Sequence, residues 1–578
     1  MSPYRPVIMG THHAVAAGHY LAAEAGFDVL NAGGNAIDAG VAAGLAIGVL
    51  QSDIVNVAGV APIILWIAKE KKVINIDGLG TWPTGLPQDY FQREHDSAIP
   101  EGILRTVIPA APAAWLWALE RYGTMSFGDV AKYAIRFARD GFPMYPLLQA
   151  NIAIDEQKYR RWPSSVDVYL PGNRVPEVGD VFVQAELARS LQYMADEEAS
   201  KASYGREAGI RAARDAFYKG DIARHIAHYH AENGGFVTYE DLAGYEVQIE
   251  PTVMTRFGDI ELHCCGPWSQ GPVLSQTLRL LEGYDLKALG HNSPAYIHIL
   301  TEALKLSCAD RERYYGDPNF VDVPMTALLS DSYTALRRSL IRMDKAWPEM
   351  PPPGHPTNGE AMTDPGPAIP PPAALPKDIR EPATLDTSYV CAMDSQGNAF
   401  SATPSDVSRS TPVIPSTGLC PSSRGSQSWG NPAHPSCAQA GKRPRLTPNP
   451  AMAFKDGKPY LMFGTPGGDV QSQAMLQVLI NRTLFGMDLQ SAIEAPRFAT
   501  FSFPSSFEPH RYFPGRLNLE ARIPHETGDA LADLGHKVEW WPDMIWRAAA
   551  ICAICVDDEK GVLHAGADPR RPAYALGW

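Results

Sequence analysis

The most restrictive feature of the chain is a change of texture past its middle. Pro348 to Pro382 carries a dozen prolines among Gly, Ala and polar residues. Proline fixes φ and lacks an N–H, so this run can sustain neither a helix nor a central strand and is expected to be exposed and extended. Directly after it, Thr387-Ser-Tyr-Val-Cys-Ala-Met-Asp394-Ser-Gln-Gly397-Asn-Ala-Phe-Ser401 reads as two strands around a Ser-Gln-Gly turn, with Thr387 as the first residue of the hairpin. Composition alone suits a plain interdomain linker. A buried-type hairpin opening on a hydroxyl residue at its very end is the unusual part.

A mid-chain Thr hydroxyl is a poor nucleophile. If the bond after Asp386 were cut, Thr387 would gain its own α-amino group, of ordinary pKa about 8, as a general base. The same hydroxyl could begin that cut by attacking the Asp386 carbonyl through an ester. A second requirement is a place for negative charge on the reacting oxygen. Phe463-Gly464-Thr465-Pro466-Gly467-Gly468-Asp469 follows a strand pattern and precedes a helix pattern from Ser472. Backbone N–H groups at Gly467 and Gly468 would favour an oxyanion there. Phosphate-binding loops and tight turns look much the same, but no Lys follows where a phosphate loop requires one.

The remaining chain reads as alternating helices and strands. Helices are expected at His19–Asn31, Ala36–Leu50, Ala110–Tyr122, Phe127–Asp140, Ser293–Tyr315, Ser472–Phe485 and Leu489–Ala495. Thr238 and Asp241 have the spacing of a capping box. Hairpins are expected at Ala61–Ile67 with Val73–Asp77, and at Ala451–Phe454 with Pro459–Phe463. A net charge of −14 argues against nucleic acid and against anionic membranes. The apolar stretch Ala39–Leu50 is too short to span a bilayer. Eight scattered cysteines suit free thiols in a reducing, cytoplasmic setting better than a disulfide framework.

Seven collinear segments resemble the γ-glutamyltransferase family of N-terminal-nucleophile hydrolases. They are Gly33-Gly-Asn-Ala-Ile-Asp-Ala39, Gly235–Tyr245, Ala303–Pro318, Gly441-Lys-Arg-Pro444, Gly464-Thr-Pro-Gly-Gly468, Phe485-Gly-Met487 and Ala495-Pro-Arg-Phe498. The resemblance implies an α+β fold of the four-layer αββα sandwich type and acyl-enzyme chemistry without cofactor or metal. It also implies self-cleavage into two subunits: 1–386, ending in a processing linker 348–386, and 387–578. The catalytic Thr falls on Thr387, the following hydroxyl residue on Ser388, and the oxyanion glycines on Gly467 and Gly468. The hydroxyl that supports the nucleophile falls on Thr403 or Ser405. The partners implied are a small-molecule amide and the chain's own second subunit; a homodimer of such αβ units is left open.

The departures concern the substrate pocket. The Arg that grips the substrate α-carboxylate is replaced by Leu79, which removes a charge-assisted contact of roughly 1.5–3 kcal/mol. The family's serine pair becomes Leu446-Thr447, and the acid expected to hold the α-ammonium aligns near Gln427. Arg424 is introduced just before it. These changes weaken both grips on glutamate, and Arg424 points to an anionic acyl group or a carboxylate placed differently. The Arg424-Gly-Ser segment and Thr447-Pro-Asn449-Pro resemble a branch of γ-glutamyltransferase-like amidohydrolases that includes oxamate amidohydrolase. The bland alternative makes Arg424 a structural salt bridge, for instance with Asp469. Two other functions compete: a true γ-glutamyltransferase or glutathione hydrolase with its pocket rebuilt from other residues such as Arg105, and an unprocessed, non-catalytic binding relative. The family's GGGG loop is here Ala58-Gly59-Val-Ala-Pro62.

Weaker signals are read structurally. His225, His228 and His230 sit on a polar helix with no suitably spaced carboxylate, which argues against a metal. Cys552-x-x-Cys555 lies in a core-strand pattern rather than at a helix N-terminus. His12-His13 is assigned either to the site or to core packing. Trp540, Trp541 and Trp546 either pack the last sheet or cover the pocket.

Overall fold

The computed structural model describes residues 3–356 and 386–578. Two seven-stranded sheets form its centre. In the first, Tyr574–Gly577, Ala14–Ala17, Val390–Met393, Ala399–Ala402, Ile63–Ile67, Lys72–Ile76 and Ile249–Glu250 lie side by side. In the second the order is Ile8–Gly10, Val562–Ala567, Cys552–Asp557, Lys458–Gly464, Ala451–Lys455, Ile260–Cys264 and Val253–Phe257. Each sheet therefore combines strands from both sides of Thr387. The two halves of the chain cannot form separate cores.

The layers follow from strand alternation, since neighbouring side chains on a strand face opposite ways. Val15, Ala17, Val390, Ala392, Phe400 and Ala402 point outward under helices Tyr20–Asn31, Ala36–Leu50, Ala111–Tyr122 and Phe127–Asp140. Leu262, Ala451, Ala453, Leu461, Phe463 and Ala553 meet a second helical layer, Gly271–Leu281, Pro294–Tyr314, Gln471–Thr483 and Leu489–Glu494. The alternate residues Ala14, Ala16, Tyr389, Cys391, Met452, Met462 and Ile554 fill the space between the sheets. This is the expected αββα sandwich.

Local signals placed most elements correctly. Ala36–Leu50 and Phe127–Asp140 form over the expected residues because complete capping boxes, Asn35 with Asp38 and Ser126 with Asp129, start them. Thr238 and Asp241 form a third. Two expectations need correction. The hairpin strand begins at Val390, not Thr387, which lies in the connection leading into it. The proline run is also not wholly exposed: Pro351, Pro353 and Gly354 are buried, and the Gly354 N–H donates to Asp310 while its carbonyl accepts from Tyr314. Most of that run, 357–385, lies outside the described residues.

The minor motifs also resolve. Cys552 faces the inter-sheet core and Cys555 the helical layer, so the pair straddles its strand, and burial raises both thiol pKa values. All eight cysteines are free and buried. His225 and His228 point outward while His230 is buried, so the three cannot share an ion; His228 does face a carboxylate, Glu232, at 3.2 Å. A different trio, His298, Glu302 and His536, does converge. Its contacts are internal: His298 bonds His536 at 2.9 Å and the Arg342 carbonyl at 2.7 Å, and Glu302 accepts from Lys305 and the Trp347 N–H. His12 and His13 are at the surface, with His12 against Trp578. Among the described residues no helix is long and apolar enough to cross a membrane.

Candidate active site

Thr387 sits at the mouth of the first sheet's central strand, with no exposed surface. Its φ is +72°. The left-handed region is costly for a β-branched residue, on the order of 1–3 kcal/mol, so surrounding contacts must hold it there. They do so from three sides. The N–H donates to the Ile54 carbonyl at 3.0 Å, the carbonyl accepts from Arg571 at 3.3 Å, and Oγ1 lies 2.6 Å from Ser405 Oγ. Ser388 follows with its N–H on the Pro404 carbonyl. Its hydroxyl fills the space beside Gly18, where an added Cβ would lie 2.0 Å from it.

Ser405 is the hub. Besides Thr387, its Oγ accepts from Arg424 Nη2 at 2.5 Å and reaches Asp386 Oδ2 at 3.5 Å. Of the two hydroxyls open from the sequence, this one touches the nucleophile. The Thr403 hydroxyl is buried with no hydrogen-bond partner, and Thr403 is held through its N–H to Pro62.

Arg424 is buried on a short 3-10 turn, Arg424–Gln427. Its Nη1 donates to Asp386 Oδ2 at 3.1 Å and to Gln427 Oε1 at 3.4 Å, and its guanidinium lies 5.5 Å from the Phe507 ring centre. Asp406 Oδ2 is 3.8 Å from Nε, a carboxylate already bonded to Ser422 and Ser423. The alternative reading of Arg424 as a salt-bridge residue holds in kind, but its partner is Asp386 and not Asp469. Asp469 pairs with Arg311 at 2.6 Å and accepts from Ser506.

From Arg424 the hydrogen bonds run on. Gln427 donates to the Thr447 hydroxyl at 3.0 Å. The Gln270 amide then bridges the Thr447 carbonyl, at 3.0 Å, to the Gly468 carbonyl, at 2.8 Å. Gly467 and Gly468 have φ of +122° and +56°, which only glycine adopts at low cost. Their N–H groups find no acceptor among the described residues. One continuous chain of contacts therefore joins Thr387, Ser405, Arg424, Gln427, Thr447 and the glycine loop. Leu79 and Leu446 stand apart from it, both in the apolar cluster between the sheets with Trp268 and Val60.

Three participants escaped sequence reasoning. One is Asp386 as the carboxylate partner of Arg424. Another is Arg571, whose guanidinium lies 5.8 Å from the Trp546 ring and whose Nε and Nη2 have no hydrogen-bond partner among the described residues. Burial lowers its pKa to about 10, against the opposing fields of Asp386 and Asp53. The third is Asp53 itself, raised to about 6 by burial despite a 2.6 Å bond from Asn151. The adjacent pair Arg570-Arg571 in an otherwise apolar C-terminal stretch was the available signal. Trp541 packs the core, while Trp546 belongs with Arg571.

Residues 22–578 match the family described as Gamma-glutamyltranspeptidase. The chain is 30% identical to the glutathione hydrolase-like YwrD proenzyme of Bacillus subtilis (strain 168), over 99% of both chains. Two solved structures superpose along nearly the whole length. LmbA2991HD does so at 34% identity and a TM-score of 0.93, covering 100% of both chains. The cephalosporin acylase of Bacillus halodurans does so at 26% identity and a TM-score of 0.85, covering 100% of this chain and 98% of its own. The chain belongs to the γ-glutamyltranspeptidase family and is an N-terminal-nucleophile hydrolase or acyltransferase.

Proposed function

We propose that this protein is a self-processing amidohydrolase that cuts its own chain between Asp386 and Thr387 and then turns over a small amide that is not an ordinary γ-glutamyl compound. The carrying observation is the state of Thr387: buried, left-handed, and with its hydroxyl 2.6 Å from a second hydroxyl. Strain at the residue that opens the new subunit favours relief by N-to-O acyl transfer. Thr387 Oγ attacks the Asp386 carbonyl, the C–N bond breaks, and water resolves the ester to leave 1–386 and 387–578. The proenzyme name of the Bacillus relative is in keeping with this.

In the mature protein the freed α-amino group takes the hydroxyl proton as Thr387 Oγ attacks the substrate carbonyl. The Gly467 and Gly468 N–H groups receive the oxyanion; one such donor typically supplies about 3 kcal/mol. The proton passes to the leaving amine, and water hydrolyses the acyl-enzyme. Ser405 orients the nucleophile, and Arg424, Gln427 and Thr447 line the acyl side. Leu79 and Leu446 offer no charge to an α-carboxylate. Arg105 does not replace the lost arginine, because its guanidinium is committed to the Ile99 and Pro100 carbonyls.

The Thr387→Ala protein should run as one full-length band on a denaturing gel and show no amidase activity. Two-band processing in that variant would sink the proposal.

A further inference from the structure

We infer that Asp386 is a built-in template for the acyl group of the substrate, which is then a monoamide of a dicarboxylic acid whose free carboxylate lies two carbons beyond the scissile carbonyl, a succinyl-type amide. The inference rests on the self-processing reading above and narrows its substrate. In processing, the ester on Thr387 Oγ carries the Asp386 acyl group; in turnover the same oxygen carries the substrate's. The side chain of residue 386 therefore marks where a substituent of the acyl group lies when its carbonyl faces that oxygen.

That side chain is a carboxylate in a prepared setting. Asp386 is fully buried, with Oδ2 3.1 Å from Arg424 Nη1 and 3.5 Å from Ser405 Oγ. Its Oδ1 has no hydrogen-bond partner among the described residues. Once the bond is cut, Asp386 becomes a chain end and is free to leave. Arg424 then keeps no hydrogen-bonded acid: Asp406 stands 3.8 Å away and is occupied by Ser422 and Ser423. Arg571, which holds the Thr387 carbonyl, loses the same nearby negative charge. A buried cation that loses its hydrogen-bonded carboxylate is left with weaker, more distant compensation, Asp406 for Arg424 and Asp53 for Arg571, so the vacated position favours an anion. An oxamate-type acyl group, with its carboxylate on the carbonyl itself, would fall two carbons short of Arg424. A neutral acyl group would not replace the hydrogen-bonded carboxylate that Arg424 loses.

The reaction is ordinary acyl transfer. The Thr387 Oγ–C bond forms, the amide C–N bond breaks, the hydroxyl proton reaches the amine through the α-amino group, and water releases succinate and restores the hydroxyl. Processed wild-type enzyme is assayed with the p-nitroanilides of succinate, its methyl ester, glutarate and γ-glutamate. The succinyl compound should exceed its methyl ester by about 10–100-fold in kcat/KM, the range expected of one charge-assisted contact, and should also outrun the other two. In Arg424→Gln that acid-to-ester ratio should fall toward one. Because that variant could fail to process, free succinate and butyrate are also compared as inhibitors of wild type, where succinate should bind at least tenfold tighter. Equal rates for acid and ester, equal inhibition by the two anions, or a faster γ-glutamyl substrate would overturn the inference. If Thr387-dependent hydrolysis of neutral anilides persists in that case, the proposed function stands without it. Absence of any Thr387-dependent hydrolysis or processing would instead remove the proposed function.

Discussion

Six buried arginines of this protein fall into two groups, and the contrast separates scaffold from site. Arg443 meets Asp77 at 3.1 Å, Glu250 at 2.7 Å and Asp317 at 2.7 Å. Arg445 and Arg311 share Glu312, and Arg570 pairs with Glu520 and Asp568. Every one of these acids stays in the chain whatever happens at residue 386. Arg424 and Arg571 are buried too, yet each counts among its nearby acids the one that precedes Thr387, and each keeps only a second, less direct acid, Asp406 or Asp53, once Asp386 is gone. A structural cation keeps its counter-charge permanently. A cation whose counter-charge departs on maturation is left ready for a ligand.

The largest expected effect breaks the first group. Arg443→Met would leave three carboxylates facing one another without a cation, at a loss of about 3–5 kcal/mol. The Gly441-Lys-Arg-Pro444 motif is in this sense a fold motif: Arg443 ties the strand end at Asp77 to Asp317. Chemical denaturation should show a large drop in midpoint. A loss below about 1 kcal/mol would mean that the network is solvated and the two groups are not distinct.

Arg571→Met tests the second group. With its Nε and Nη2 unpartnered, Arg571 contributes little to the fold, so the processed variant should melt within about 2 °C of the parent. Its kcat/KM should fall about 10–100-fold, because the guanidinium that holds the Thr387 carbonyl is lost. A cation beside the α-amino group also lowers that group's pKa, so the rising limb of the pH–rate profile should move up by about 0.5–1 unit. Arg571→Lys should restore part of that shift. A loss of activity that merely tracks melting, with the profile unmoved, would return Arg571 to the scaffold.

What the sequence made legible was what is local. Capping boxes and period-2 alternation fixed helices such as Ala36–Leu50 and both central hairpins, because their signals lie within a few residues of what they specify. In the site, Gly467-Gly468 was legible because that motif carries its own geometry, whereas Thr387, Ser405, Arg424, Gln427 and Thr447 were named through the family resemblance and their mutual contacts were not. The strand start was misplaced by three residues because Thr387 is held by the distant Ile54 carbonyl rather than by the sheet. The acid that pairs with Arg424 could not be named from sequence, where Asp469 was only one instance offered, because a long-range ion pair leaves no periodic trace. Thr403 and Ser405 share the same parity on the extended chain, so only the distance to Thr387 could separate them. Nothing in the pair Arg570-Arg571 indicates that one turns to Glu520 and the other to the nucleophile.

Asp53 sharpens the comparison at its smallest scale, as the acid that remains near Arg571 after Asp386 departs. Burial raises its pKa to about 6, outweighing Asn151, Arg409 and Arg571, whereas an unfolded Asp titrates near 3.9. The folded protein thus holds this proton after the unfolded chain has released it. By linkage, Asp53 makes the fold less stable as pH rises from about 4 to 6, and the full penalty, at most about 3 kcal/mol, persists above that window. Asp53→Asn cannot ionise, so its stability relative to wild type should improve between pH 4 and 6 and stay level above. Denaturation midpoints at pH 4.5 and 7.5 give the difference directly. A wild-type to variant gap that is the same at both pH values would mean that Asp53 stays ionised throughout, a permanent partner for Arg571 like the acids around Arg443.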